Sequence, residues 1–343
     1  MPGQTDTLTR NFLLTTIALL TVTMLVCITL ALNFGAGKVS LLQLIHADGL
    51  SAIDRTILLE VRLPRVIFAA VIGGALAVAG VVFQALLRNP LADPYVLGVS
   101  GGASIGGVLA ILFGLGAAGG WLGNIAVPVC AFAGALAALI LIQYMATVDG
   151  RLTVYTVLLT GVIFNAFAAA VIFFIQSIAS LERLHDIVFY LMGRIPTPDI
   201  RTLVLLTCTT VIATFFLWFM GRQFNALSLG EETATQLGVP VESVKRHTFI
   251  MGSLLTGLSV SVAGLIGFVG LVVPHMLRLL FGPDHRLLIP AAFLGGGAFL
   301  VIADLFARLV LAPNELPVGV VTALIGGPFF IYLLRSRSRV YGI

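Results

Sequence analysis

Arg62-Leu63-Pro64-Arg65 leads into an apolar run that stops at Arg88-Asn89-Pro90-Leu91-Ala92-Asp93-Pro94 and resumes at Gly98-Val99-Ser100-Gly101-Gly102. Asn89 precedes a proline and is pushed out of helical geometry, so a helix must end there, with Arg88 well placed at its negative end. A second helix starts at once. Asp93 serves as its N-cap, Pro94 fills the first helical position, and Gly98, Gly102 and Gly106 fall on one face. Small residues four apart let helices approach closely in lipid, so the stretch reads as a hairpin of two membrane spans.

Working outward, 59% of the 343 residues are hydrophobic and only 10% are charged, with a mean hydropathy of +1.10. No single water-soluble core hides that much apolar surface, so the chain is expected to be an all-α membrane protein, one polytopic domain over residues 1–343. The net charge of +4 does not point to nucleic acid, because the basic residues stand singly between apolar runs, as topology signals do. Cys27, Cys130 and Cys208 are odd in number, far apart and each inside an apolar run. They fit small buried hydrophobes rather than a disulfide framework or a metal cluster. Residues 11–34 follow Arg10 and are too long for a secretory signal core, so a retained first helix is expected.

Windows of about 20 residues place spans at 11–34, 65–87, 95–115, 124–145, 154–177, 202–220, 248–264, 267–281, 287–311 and 317–334, about ten in all. The seventh and eighth share a stretch that is too long for one span and short for two, broken by Gly264, Gly267, Gly270 and Pro274. Irregular backbone at membrane depth needs protein or water around it, so this break belongs to the interior, and Gly267 and Gly270 are both expected to be crowded. If the eighth helix does not cross, the sides of the last two spans reverse.

With the N-terminus inside, Arg10, Arg88, Arg151, Arg222, Lys245, Arg246, Arg278, Arg286, Arg335, Arg337 and Arg339 lie on the inner side. Lys38, Arg55, Arg62, Arg65, Arg183, Arg194, Arg201 and Arg308 lie outside, a weak bias of the correct sign. Arginines outside ask for a negatively charged partner or for headgroups to anchor to, and a partner is the expectation for Arg62, Arg65 and Arg308. The longest inner polar island, 225–240, reads as a short helix that Ser228 or Gly230 begins and Gly238 with Pro240 stops. Leu229, Thr233 and Leu237 fall on one side of it, an apolar edge suited to a partner.

Neither Lys38 nor Lys245 ends a Gly-x-x-x-x-Gly-Lys-Ser/Thr loop, no His-Glu-x-x-His helix is present, and the Gly-x-Ser-x-Gly spacing at Gly98–Gly102 falls in the apolar glycine seam rather than at a strand-to-helix elbow. An enzyme is not expected. The order of the motifs is more specific: Arg62 to Arg65, Arg88 to Gly102, the Gly230-Glu231-Glu232 to Leu237-Gly238 island, Gly264 to His275 with Arg278, Asp304 to Arg308, and Glu315-Leu316-Pro317-Val318-Gly319. Over nearly its full length the chain resembles permeases of the FecCD family, the membrane subunits of ATP-driven importers for ferric siderophores, haem and vitamin B12.

That resemblance implies a type II ABC importer permease fold of ten transmembrane helices in a bacterial inner membrane. It implies a second permease subunit, taken as identical, two separate ATPase subunits that carry ATP and Mg, and a periplasmic substrate-binding protein; the chain itself would hold no cofactor. Gly230, Glu231, Glu232, Thr233, Ala234, Leu237 and Gly238 match the element that docks in the ATPase. Arg62, Arg65 and Arg308 match positions that meet acidic residues of the binding protein. Leu265 stands where relatives often carry proline, which would soften the break there.

Gln84, Ser100, Thr160 and Asn165 are the polar candidates for the translocation pathway, and the Gly161 to Asn165 segment matches the fifth helix, which lines the pathway in relatives; each could equally bond a neighbouring helix. Asp304 is one helical turn from Arg308, and an ion pair orienting that arginine is expected. His247, His275 and His285 lack ligand spacing and read as interfacial hydrogen-bonding groups. An ion-coupled secondary transporter would keep several buried carboxylates at a midplane site, which Asp304 alone does not supply. A non-transporting receptor leaves the paired inner and outer docking features without a purpose. Which chelate is carried stays open.

Overall fold

The decisive stretch folds as its residues dictate. In a computed structural model, which describes residues 9–35, 52–117 and 121–341, helix α2 (Leu63–Leu86) ends with Arg88 in the left-handed region at φ 47°. Arg88 N–H donates to Ala85 O at 3.2 Å and Asn89 N–H to Gln84 O at 3.1 Å, the paired bonds that close a helix C-terminus. Asn89 Oδ1 then accepts from Leu91 N at 2.9 Å, and Asp93 Oδ1 from Tyr95 N at 2.9 Å. Asp93 thereby caps a 3-10 turn, Pro94–Leu97, before Gly98 at φ 86° turns the chain into α3 (Val99–Leu112). The expected helix therefore starts as two pieces rather than one, and that kink returns Tyr95 and Pro94 to the packed interior.

Before α2 the chain is already helical, with Ala52–Thr56 and a π-helical turn, Ile57–Arg62, running into it. The remaining long helices are α1 (Arg10–Asn33), α4 (Trp121–Ala146), α5 (Val154–Ile178), α7 (Ile200–Phe219), α10 (Val241–Ala263), α11 (Val269–Phe281), α12 (His285–Leu309) and α13 (Val318–Tyr341). Six helices of the described chain are long and apolar enough to cross a membrane, and α3, α11 and the first part of α13 are shorter apolar helices. With α10, whose first turns carry Glu242, Lys245 and Arg246, they complete the ten expected spans.

Two elements escape the sequence reading. One is a hairpin, β1 (Thr147–Val148) with β2 (Arg151–Leu152), turned by Asp149 at φ 50° and Gly150 at φ 77°. The other is α6 (Leu181–Leu191), an amphipathic helix at the outer end whose Ile187 and Tyr190 are buried while Leu181 is exposed. The inner face adds two short helices, α8 (Gly221–Leu227) and α9 (Glu231–Gln236).

Helix α2 is the axis of the fold, buried on nearly every face from Val66 to Leu86. It packs on α12 through small residues: a Cβ on Gly73 would meet the Gly296 backbone, and one on Gly296 would meet Ala77. Helix α3 packs on α4 in the same way, with Gly102 against Gly134 and Ala138 and Gly106 against Cys130, so the four-residue seam does pack helices closely. Large apolar side chains of α1, α5 and α7 point outward, as lipid-facing helices require. Cys208 is among the exposed groups and Cys27 and Cys130 are half-buried, which corrects the expectation of three buried thiols.

The seventh span begins earlier than expected, at Val241, and the break falls at 264–268, where Gly264 (φ 70°) and Phe268 (φ 69°) both leave helical geometry. The break is fully formed despite Leu265. Gly270 is crowded, since a Cβ there would lie 2.7 Å from Pro94 Cγ and 2.8 Å from Leu76 O; Gly267 has open space, which corrects the expectation for it. Ala263 O accepts from Arg194 N at 2.8 Å near the outer end, whereas Asp284, just past α11, bonds Asn225 on the inner side. The extended segment and α11 together therefore reverse the chain, and the sides assigned to α12 and α13 stand. Lys38 lies outside the described residues.

Candidate coupling and docking sites

On the inner face, Gly230 at φ 114° makes the turn from α8 into α9, and Gly238 at φ 81° ends it. Ala234 is fully buried and seats the helix on the body, so of the docking residues expected from the sequence it is the one that faces inward. Leu229 is 67% and Leu237 64% exposed, and Thr233 is exposed beside them. Glu231 and Glu232 stand in the first turn, where they offset the helix's positive end.

One polar chain ties this helix to α10 and the hairpin, and a second ties the neighbouring α7 and α8 to the start of α12. Lys245 Nζ, its side chain 5% exposed, lies 3.1 Å from Glu231 Oε2 and 2.6 Å from Glu242 Oε1. Glu242 Oε2 in turn accepts from Leu152 N at 2.8 Å. This chain borders a groove of about 760 Å³ between the hairpin and α9, lined also by Arg151, Tyr155, Glu232 and Thr235. On the other side, Asn225 of α8 donates to Asp284 Oδ1 at 2.8 Å and accepts from His285 N at 2.9 Å, while Trp218 Nε1 donates to Arg286 O at 2.8 Å. Burial alone would raise the Asp284 carboxyl, but bonds from Arg286 and Asn225 outweigh it and hold the acid at about 2. Two of the three histidines serve as hydrogen-bonding groups, His285 Nδ1 2.8 Å from Asn225 Oδ1 and His247 Nδ1 2.7 Å from Ser243 O, while His275 is buried in α11.

At the outer end the three arginines are brought together but turned inward. Asp304 has no exposed surface and lies between two of them, with Arg65 Nη2 2.9 Å from Oδ1 and Arg308 Nε 3.0 Å from Oδ2. The expected Asp304–Arg308 pair is present. Arg65 Nη1 reaches Glu315 Oε2 at 2.9 Å, Arg308 Nη2 donates to Ala31 O at 3.3 Å, and Arg62 Nη1 to Leu32 O at 3.1 Å. Arg62 and Arg308 are 6% exposed, so in this structure both are turned into the chain, Arg308 towards Asp304 and Ala31 and Arg62 towards Leu32, rather than outward as the sequence reading expects. Arg65, through the half-exposed Glu315, is the member closest to the surface.

The pathway candidates are likewise drawn inside. Tyr95 O accepts from Ser100 Oγ at 3.2 Å and from Asn165 Nδ2 at 2.8 Å, and Tyr95 Oη donates to Ile266 O and accepts from Ile266 N, both at 3.0 Å. Gly161 lets the Val96–Leu97 backbone sit against α5. Gln84 is buried, its Nε2 3.5 Å from Gly270 O, and Thr160 is buried as well. Within a single copy of the chain Gln84, Ser100, Thr160 and Gly161 are buried, whereas Asn165 is half-buried. The outward face of α5 is apolar, with Leu159, Val162, Ile163, Phe167, Phe173 and Phe174 exposed.

Sequence reasoning missed Glu242, Lys245 and the hairpin. The Asp149-Gly150 dipeptide is a strong two-residue hairpin signal, and Glu242 to Lys245 has the spacing of a helical ion pair. What no pattern shows is that Leu152 N–H would be the third partner.

The cobalamin import permease BtuC of Halobacterium salinarum is 42% identical over 278 residues, 81% of this chain and 73% of that one. The hemin transport permease HmuU of Yersinia pestis is 40% identical over 288 residues, 83% of this chain and 85% of that one. A solved structure of a metal-chelate type ABC transporter in an inward-facing conformation superposes with a TM-score of 0.81 at 28% identity, covering 94% of this chain and 99% of that one. The FecCD transport family matches residues 23–336, the stretch that contains the last part of α1, the buried arginine cluster and α9. Ten apolar helices with α2 buried among them and a short helix held out on the inner face are thus the features of a multi-pass permease subunit of an ABC importer, and the chain belongs to the FecCD transport family.

Proposed function

We propose that two copies of this chain form the membrane passage of an importer that carries a bulky metal chelate, a corrinoid, haem or ferric siderophore, across a bacterial cytoplasmic membrane. Separate ATPase subunits, with their ATP and Mg, bind at α9, and a substrate-binding protein delivers cargo at the outer rim near Arg65 and Glu315. The observation that carries this reading is the exposed edge of Leu229, Thr233 and Leu237 on a helix anchored by Ala234. Apolar side chains held in water at the inner face of a membrane protein mark a binding surface. Relatives of nearly equal identity are named for cobalamin and hemin, so similarity supports the class of cargo rather than one member.

Co-expression with an ATPase and a substrate-binding protein of the same importer class, followed by reconstitution, tests the reading. Uptake of labelled cyanocobalamin, haemin and ferric siderophores is measured in parallel. Leu229→Asp with Leu237→Asp should abolish ATPase co-purification while the permease stays monodisperse in detergent. ATPase that remains bound to that double variant would remove α9 as the docking element.

A further inference from the structure

We infer that Glu242 is the positioning residue through which α9 moves the Thr147–Leu152 hairpin, and with it the inner ends of α4 and α5. This rests on α9 being the ATPase-docking helix and concerns the motion that docking sets off. The hairpin and α9 stand on opposite sides of the open groove, so side-chain packing does not transmit displacement across it. The first turn of α10 touches both, and its two ionisable groups close the gap: α9 Glu231 to Lys245, Lys245 to Glu242, Glu242 to Leu152 N–H.

Each link is suited to carrying a displacement. Both of Glu242's carboxylate oxygens are engaged, one by an ammonium at 2.6 Å and one by a backbone N–H at 2.8 Å, short charge-assisted bonds with defined direction. Lys245 is nearly buried, so its ammonium stays with its two carboxylates instead of exchanging them for water. Beyond Leu152 the chain is stiff. Thr147 pairs with Leu152, Thr153 N donates to Ala146 O at 3.1 Å, and α5 begins at Val154, so a pull on Leu152 N is a pull on the α4–α5 junction. Arg151, on the groove wall, adds a second positive charge facing Glu242. The Asn225–Asp284 contact, made by the preceding helix α8, leads to the start of α12 and not to α5, so the Glu242 chain is the polar route from α9 to α5 among the described residues.

The test uses the whole reconstituted transporter, comparing the parent with Glu242→Gln and, at the other joint, Lys245→Met. Three quantities are read: ATPase co-purification, the ATP hydrolysis rate and cargo moved per ATP. Glu242→Gln can still accept from Leu152 but no longer pairs with Lys245; Lys245→Met leaves Glu242 on Leu152 and replaces the buried ammonium by an apolar chain of similar length. Both should keep the ATPase bound and hydrolysing within about two-fold, while cargo per ATP falls by about ten-fold, the factor expected for one lost charge-assisted bond. Glu242→Asp, which keeps the charge, should recover part of the loss. Unchanged cargo per ATP in both folded variants overturns the inference. So does parallel loss of ATPase binding and transport, which would make the pair part of the docking surface itself. A parent permease that fails to hold the ATPase refutes the coupling reading of α9 instead, an outcome visible before any variant is made.

Discussion

The two ends of this molecule both concentrate charge, and they use it in opposite ways. At the outer end Asp304 is sealed between Arg65 and Arg308, and carbonyl oxygens at the end of α1 take up further donors from Arg308 and Arg62. At the inner end Lys245 is buried but both its partners, Glu231 and Glu242, keep more than a third of their side chains in solvent beside an open groove. A sealed cluster fastens helices: it joins α1, α2 and α12 and tolerates no vacancy. A half-solvated chain holds its elements together while leaving them room to shift. Similar residue types thus serve as a rivet at one end and a linkage at the other, and burial makes the difference.

The comparison breaks most readily at Asp304. Asp304→Ala leaves the buried Arg308 guanidinium without its carboxylate and Arg65 with Glu315 alone, and should destabilise the permease by about 3 to 5 kcal/mol, read as a large drop in thermal unfolding temperature and yield in detergent. Parent-like stability would mean that the outer cluster is hydrated and its arginines are free for a partner after all. Next is the helix break that joins the two ends. Gly270→Leu must displace Pro94 and the Leu76 carbonyl and should cost about 1 to 3 kcal/mol, while Gly267→Leu, facing open space, should unfold at the parent temperature. Equal effects at the two positions would contradict the packing described for 264–270.

Smaller effects sharpen the contrast. Glu315 is half-exposed, so Glu315→Gln should change stability by only about 0.2 to 1 kcal/mol, and the change should shrink in high salt, unlike that of Asp304→Ala. The smallest effect is at Asp284. Its carboxyl is held at about 2, below the unfolded value of about 3.9, so its contribution is complete above about pH 4 and is lost as pH falls towards about 2. Partial solvation reduces the size of that contribution. The stability gap between the parent and Asp284→Asn should therefore be flat from neutral pH to about pH 5 and should narrow below about pH 4; a gap independent of pH would show that the carboxylate's charge plays no part.

Much of this was legible from residues alone. The stop at Arg88-Asn89-Pro90, the restart at Asp93-Pro94, the glycine seam of α3 and the short inner helix all follow from backbone chemistry acting over a few residues. The Asp304–Arg308 pair lies one helical turn apart and was equally readable. The fate of the outer arginines was not, because Arg65 finds Asp304 across 239 positions of sequence and Arg308 finds Ala31 across 277. Polar residues on apolar helices invite a pathway reading, yet Ser100 and Asn165 converge on the Tyr95 carbonyl, which is left without a helical partner by the kink at Gly98.

Sequence by itself determined that the chain lives in a membrane, that it crosses about ten times and where most crossings begin and end, since hydropathy, proline and glycine act locally on the backbone. Tertiary structure decided which charges are used up and which remain available: burial of Arg62 and Arg308, the inward turn of Ala234, the open space at Gly267 and the run from Glu231 to Leu152. Those outcomes depend on which helices lie side by side, and a charge's worth depends on the solvent and partners that such neighbours remove or supply.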